Sequence, residues 1–271
     1  MSSSFKNVTE WTSRPPVWIS SKPTFENYLA IFGERIGAAG TGVEGQVELT
    51  LTVVGGVITP AMPAILNSAL AAGTTTIAAV FIGYLAAYAI SRYRQGGSFL
   101  YFFVLATRML PPVGIVIPLL VFFTFFALVD TIGGLFIIYL GIHVAFVIWI
   151  VRGFIDDIPI EIEESAKLDG VGKWGVLFKV TFPLVKGGLA AAALFVFILT
   201  WTEFGVALIM TRADATTIPI QLLKYSFGGG PALGPISALS VIVIIPVIIL
   251  GYVIQKQMVR GLSMGAIKGA R

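Results

Sequence analysis

Apolar and polar residues fall along this chain in long blocks. Leu66 to Ile90 is an uncharged run of the length that crosses a bilayer. Phe99 to Leu128 is longer and is broken by Arg108, by Pro111-Pro112 and by Pro118. Thr131 to Val151 is the third block, Leu184 to Met210 the fourth, interrupted by Glu203, and Ile236 to Ile254 the fifth. Blocks of this length predict five transmembrane helices. Residues 1–65 break the pattern. Trp11, Pro15, Pro16, Trp18, Pro23 and Tyr28 predict extended, packed irregular structure, and Asn27 to Phe32 a helical turn or two. Val47 to Val53 alternates at period 2, and Gly55-Gly56 then precedes Val57-Ile58-Thr59, which predicts a small hairpin.

Between the third and fourth blocks lies a polar island, Asp156 to Pro183. Pro159 suits the first turn of a helix, where its missing N–H is no loss. Glu161, Glu163 and Glu164 occupy the early turns, where the helix dipole favours negative charge. Glu163 and Lys167 stand four apart, in the better order for an ion pair. Gly170 is a natural stop. A second short helix, Lys173 to Phe182, is predicted with Trp174, Leu177, Phe178 and Thr181 down one side and Pro183 closing it. The small Ser165 and Ala166 let a partner approach the backbone closely.

Composition supports the membrane reading. The chain has 271 residues, 56% hydrophobic and 12% charged, with a mean hydropathy of +0.92. A soluble domain carries about a quarter charged residues. With no cysteine and one histidine, His143, thiol catalysis, disulfides and His-rich metal sites are excluded. The isoelectric point near 9.3 reflects basic residues scattered between helix ends, so no nucleic-acid partner is expected. Arg92 and Arg94 follow the first block, Arg152, Lys167, Lys173, Lys179 and Lys186 fill the polar island, and Lys256, Arg260, Lys268 and Arg271 lie in the tail. By the bias of basic residues toward the cytoplasm, the island and the tail are inside. Residues 1–65 are then expected outside, residues 66–258 form the transmembrane core with the cytoplasmic loop 156–183, and residues 259–271 form a cytoplasmic tail.

The island resembles the EAA loop of binding-protein-dependent ABC importer permeases, whose pattern runs E-A-A-x-x-D-G with a proline about a dozen residues on. Here Glu164, Ser165, Ala166, Asp169, Gly170 and Pro183 hold those positions; the first Ala is Ser, and Lys186 stands where many members carry another proline. Other phrases favour the carbohydrate branch. Asn67-Ser68, Ala86-Ala87-Tyr88-Ala89 with Arg92, Arg108 to Pro112, and Trp201-Thr202-Glu203-Phe204 are similar to phrases in its helices, and Gly261 to Gly269 resembles the tail of the maltose-type second permease.

The resemblance implies an all-α, multi-pass protein of a bacterial or archaeal cytoplasmic membrane that imports a sugar or polyol. It implies P-loop ATPase subunits in two copies, a second permease and an external binding protein as partners. Glu163, Glu164, Ser165, Ala166, Lys167, Asp169, Gly170 and Pro183 would meet the ATPase. It also implies a six-span core whose first span precedes a segment like Ser3-Ser4-Phe5-Lys6, so about 20 further apolar residues are expected upstream of Met1.

No G-x-x-x-x-G-K-[ST] occurs, so ATP is not bound here through a P-loop; neither a cofactor nor a catalytic residue is expected in this chain. Arg108 and Glu203, inside predicted spans, would each cost about 2.5–3.5 kcal/mol facing lipid. They either line a translocation path with Pro111, pair with each other, or meet the partner permease. His143 is expected to be packed and hydrogen-bonded. The rival reading, an ion-coupled secondary transporter, favours paired intramembrane carboxylates and inverted repeats, and the sequence shows neither.

Overall fold

The computed structural model describes residues 2–11, 13–32, 52–53, 56–57, 59–94, 96–227 and 232–266. Regular structure among these residues is helical apart from one short ladder. In order they form a 3-10 turn Ser2–Phe5, α1 (Val8–Trp11), α2 (Glu26–Phe32), β1 (Thr52–Val53), β2 (Gly56–Val57), α3 (Met62–Tyr93), α4 (Gly97–Ala106), α5 (Pro112–Phe125), α6 (Ile132–Asp156), α7 (Ile160–Leu168), α8 (Lys173–Gly175), a π turn Val176–Thr181, α9 (Phe182–Trp201), α10 (Gly205–Met210), α11 (Ile218–Phe227) and α12 (Leu233–Ala266). Among the described residues four helical runs are long and apolar enough to cross a membrane, or five if the bent pair α4–α5 is one span.

The expected hairpin is present as two residues a side, pairing Thr52 with Val57 and Val53 with Gly56. Gly56, read as part of the turn, is therefore a ladder residue, while residues 47–51 lie outside the described set, as do residues 267–271 of the tail.

Proline decides the second span. A residue before proline is driven from the helical region, and both Leu110 (ψ 129°) and Pro111 (ψ 125°) are extended. The span is cut there, and its halves meet at 87°. Arg108 thus sits in a 3-10 turn at the break, Thr107–Met109, and not inside a straight helix. Proline acts differently further on. Pro183 was expected to close a second short helix, yet the chain runs without interruption from Lys173 to Trp201. The turn ahead of it, Val176–Thr181, opens to π geometry, which accommodates a residue that has no N–H and crowds the preceding carbonyls.

The fourth block also ends early. Its span stops at Trp201, and Met210 belongs to the separate helix α10. Glu203 causes the break, because its carboxylate accepts hydrogen bonds from the N–H groups of Val206 and Ala207 and caps α10.

Contacts divide the chain into two units, residues 1–69 with 211–248, and residues 70–210 with 249–271. In the first unit the amide of Asn27 donates to the carbonyls of Ser4 and Lys6, and Gln221 and Tyr225 of α11 donate to the carbonyl of Thr59. Asn67 holds the carbonyls of Asp214 and Thr216, and Ser68 accepts from the N–H of Ile218.

The second unit is built on α3, α6 and α9. Tyr84, Ala87 and Tyr88 pack with Val147, Val151 and Ile155 and with Val185, Leu189 and Ala192. Membrane helices pack through small residues, and Gly83 shows this here: a Cβ on it would stand 2.5 Å from Cγ1 of Val147. Val147 has little rotamer freedom to retreat. Gly83→Ala is therefore expected to cost about 1–3 kcal/mol through overpacking, and Gly83→Ala with Val147→Ala to recover most of it. Thermal unfolding of the detergent-purified protein checks both.

Candidate coupling site

The polar island folds around α7. Pro159 is its cap, with ψ 132°, one residue before the first helical position. Negative side chains Glu161 and Glu163 fall in the first turn and Lys167 in the last, matching the dipole at each end. The helix ends in a Schellman motif: the N–H of Val171 donates to the carbonyl of Ala166 (3.0 Å) and that of Gly170 to Lys167 (3.1 Å). This geometry needs a left-handed residue, and Gly170 has φ +83°.

The faces of α7 carry different chemistry. Glu164, Ser165, Lys167, Leu168, Asp169 and Gly170 are exposed and Ala166 is half-buried. Leu168 is 89% exposed and Trp174, stacked on Phe178 at 6.1 Å, is 72% exposed. These open apolar side chains share the loop with the exposed charges of Glu164, Lys167 and Asp169.

Glu163 faces the other way and is 1% exposed. Its expected pair with Lys167 does not form. The carboxylate instead accepts from Nε of Arg92 (2.9 Å), the hydroxyl of Tyr88 (3.1 Å) and the hydroxyl of Thr181 (3.1 Å). Arg92 also donates through Nη2 to the carbonyls of Ile155 (3.0 Å) and Ile158 (2.9 Å). One buried ion pair thus ties α7 to α3, to the end of α6 and to the π turn. A buried pair of this kind is costly to break on one side only, about 3–5 kcal/mol, because the other charge is left uncompensated. Nearby, Tyr84 donates to the carbonyl of Leu177 (2.6 Å). Ser91 donates to Asp156, which also holds Arg152 at 3.2 Å.

Sequence reasoning missed Tyr88 and Thr181 as partners of Glu163 and read Arg92 as an orientation signal and as part of a family phrase. The four-residue spacing of Tyr88 and Arg92 puts both on one face of α3. That was the available clue, but the identity of their partner is a tertiary fact.

The path candidates lie elsewhere in the second unit. Arg108 donates to the carbonyl of Ile142 (3.1 Å) and lies 5.1 Å from the centre of the Phe146 ring. It borders a largely apolar groove of about 580 Å³ lined by Pro112, Ile115, Phe123, Ile138 and Ile142. Glu203 takes the hydroxyl of buried Tyr139 at 3.0 Å. Ion pairs join Arg92 to Glu163 and Arg152 to Asp156, and none joins Arg108 to Glu203 among the described residues. Neutralising both is expected to give additive losses, within about 0.3–0.5 kcal/mol; a coupling of 1.5 kcal/mol or so in a double-mutant cycle, at the range for contacting pairs, would contradict this. His143 is buried as expected, but neither ring nitrogen has a hydrogen-bond partner among the described residues.

The sequence profile described as "Binding-protein-dependent transport system inner membrane component" matches residues 79–263, a stretch that contains α7, Arg92 and Glu203. The chain belongs to this family. The permease is 35% identical over 207 residues to the trehalose/maltose transport system permease protein MalG of Thermococcus litoralis, covering 75% of this chain and 74% of that one. It is 32% identical over 210 residues to the trehalose transport system permease protein SugB of Mycobacterium tuberculosis, covering 76% and 77%. The crystal structure of a bacterial ABC transporter involved in the import of the acidic polysaccharide alginate contains a chain with the same fold. Its TM-score is 0.69 at 22% identity, over 94% of this chain and 87% of that one. The permease is thus a multi-pass protein of the inner membrane. It belongs to a transport system that also contains an ATPase and a substrate-binding protein.

Proposed function

We propose that this permease conducts a sugar or polyol and that α7 is the element through which ATP hydrolysis drives it. The observation that carries the coupling reading is the exposed face of α7, Glu164 to Gly170, set beside Leu168 and Trp174 and ended by the left-handed glycine. That face would seat in a cleft of the ATPase subunit. Two ATPase copies would serve this permease and a second, similar one, and closure of the ATPase pair would move α7 and the helices attached to it. The break at Arg108 to Pro112 and the capped turn at Glu203 would line the path, since irregular backbone at membrane depth is tolerated where it borders a cavity or is buried in protein. The solute class rests on relatives named for trehalose, for trehalose and maltose, and for diacetylchitobiose.

Reconstitution in proteoliposomes with the ATPase, the partner permease and the binding protein tests the reading. Uptake of labelled trehalose or maltose is expected to require ATP inside the vesicle compartment that holds the ATPase. Uptake driven by a sodium or proton gradient without ATP would replace the coupling reading with secondary transport. ATP-driven uptake of amino acids with no sugar uptake would leave the coupling reading and overturn the solute class.

A further inference from the structure

Two adjacent glutamates in α7 divide the work of the loop. Glu164 is exposed and free to meet a partner, whereas Glu163 is buried against the permease itself. A carboxylate has about four acceptor sites, and three of those on Glu163 are filled from two other elements, Tyr88 and Arg92 of α3 and Thr181 of the π turn. The same guanidinium donates to the carbonyl of Ile155 at the end of α6 and to that of Ile158 in the link to α7. By contrast, the link after α7 holds Gly170 and Gly172, whose Cβ positions face open space. Besides the short backbone link from α6 at Asp157 to Pro159, force applied to α7 therefore has a buried side-chain route into α3 and the π turn, and it runs through Glu163.

We propose that the Glu163–Arg92 pair is the transmission joint of the permease. Glu163 is a positioning residue that makes α3, the end of α6 and the head of the Lys173–Trp201 helix move with α7. The proposal rests on the coupling reading above and assigns it a specific part.

The test compares variants at matched amounts of reconstituted permease–ATPase complex and reads solute moved per ATP hydrolysed. In Glu163→Gln and in Arg92→Gln that ratio is expected to fall about tenfold, within the roughly 5–150-fold span of ordinary coupling energies. The double variant is expected to be no worse than the worse single one, because both act through one joint. Arg92→Lys is expected to recover part of the ratio, since an ammonium can hold the carboxylate but cannot also reach both carbonyls in the fixed fork of a guanidinium. Glu164→Gln is expected to reduce capture of the ATPase. A wild-type ratio in the Glu163 and Arg92 variants, with only the amount of complex reduced, would show a merely structural pair and overturn the joint. So would additive losses in the double variant. If the charge variants fail to insert, Thr181→Val removes a single hydrogen bond from Glu163 and is expected to lower the ratio by a smaller factor; an unchanged ratio there overturns the proposal. Wild-type uptake independent of ATP would instead remove the coupling reading on which the joint depends.

Discussion

Gly170→Val is expected to abolish ATP-driven uptake while the chain still inserts in the membrane. The reason is backbone conformation alone. Gly170 holds φ +83°, and a Cβ built on it meets nothing within 4 Å, so no neighbour would be displaced. A left-handed conformation costs an ordinary residue roughly 1–2 kcal/mol and a β-branched one more, because such residues are genuine outliers there. Losing it would also break the two Schellman hydrogen bonds from Gly170 and Val171. The end of α7 would fray, and Leu168 and Asp169 would leave the face offered to the ATPase. Gly170→Asn provides the control, since asparagine visits the left-handed region readily. It is expected to keep most of the uptake, and a Gly170→Asn variant as inactive as Gly170→Val would point to a steric role that the open space around Gly170 does not support.

Glu203→Leu is expected to be the most destabilising single change outside the loop. The carboxylate receives the Tyr139 hydroxyl at 3.0 Å and the N–H groups of Val206 and Ala207 at 3.0 and 3.2 Å. Tyr139, Val206 and Ala207 are all buried. Each buried donor left without an acceptor costs about 1–3 kcal/mol. Thermal unfolding in detergent reads the loss, with about 2–4 °C expected for each kcal/mol in a chain of roughly this size. Glu203→Gln keeps one acceptor oxygen and is expected to lose less than half as much. Equal stability of Glu203→Leu and the wild type would mean that α10 is held by packing alone and that Glu203 is available for another task.

Much of the fold was legible because the membrane imposes a length on apolar runs: Leu66–Ile90 and Ile236–Ile254 fall within α3 and α12, and Thr131–Val151 falls within α6 except for its capping first residue. Helix α7 was legible, since a proline at its start and a glycine after it are local signals, although Pro159 caps the helix instead of entering its first turn. What failed were places where one residue type has two outcomes. Pro112 starts a helix after a sharp break, whereas Pro183 is absorbed by a widened turn, and the difference lies in the consecutive prolines at 111 and 112 and in the packing of the 176–181 turn. Glu163 obeyed the spacing for a surface pair with Lys167, but its burial against Arg92, Tyr88 and Thr181 is set by the meeting of helices 71–75 residues apart in sequence in the first two cases. Glu203 was read as an intramembrane charge interrupting the fourth block; its capping of α10 is local, whereas its bond from Tyr139 is a tertiary fact.

The chain has no cysteine, so a single cysteine reports on one place without further engineering. Leu168→Cys, at the most exposed apolar position of α7, measures the central claim most directly when the assembled transporter is treated with a short bifunctional thiol cross-linker and a cysteine is placed in the ATPase cleft. Cross-linking of position 168 to the ATPase subunit is expected, with none from a cysteine at Trp149, which is also exposed but lies in α6. A cysteine at 168 that reacts freely with an aqueous thiol reagent in the assembled complex and never joins the ATPase would show that α7 is not the docking element.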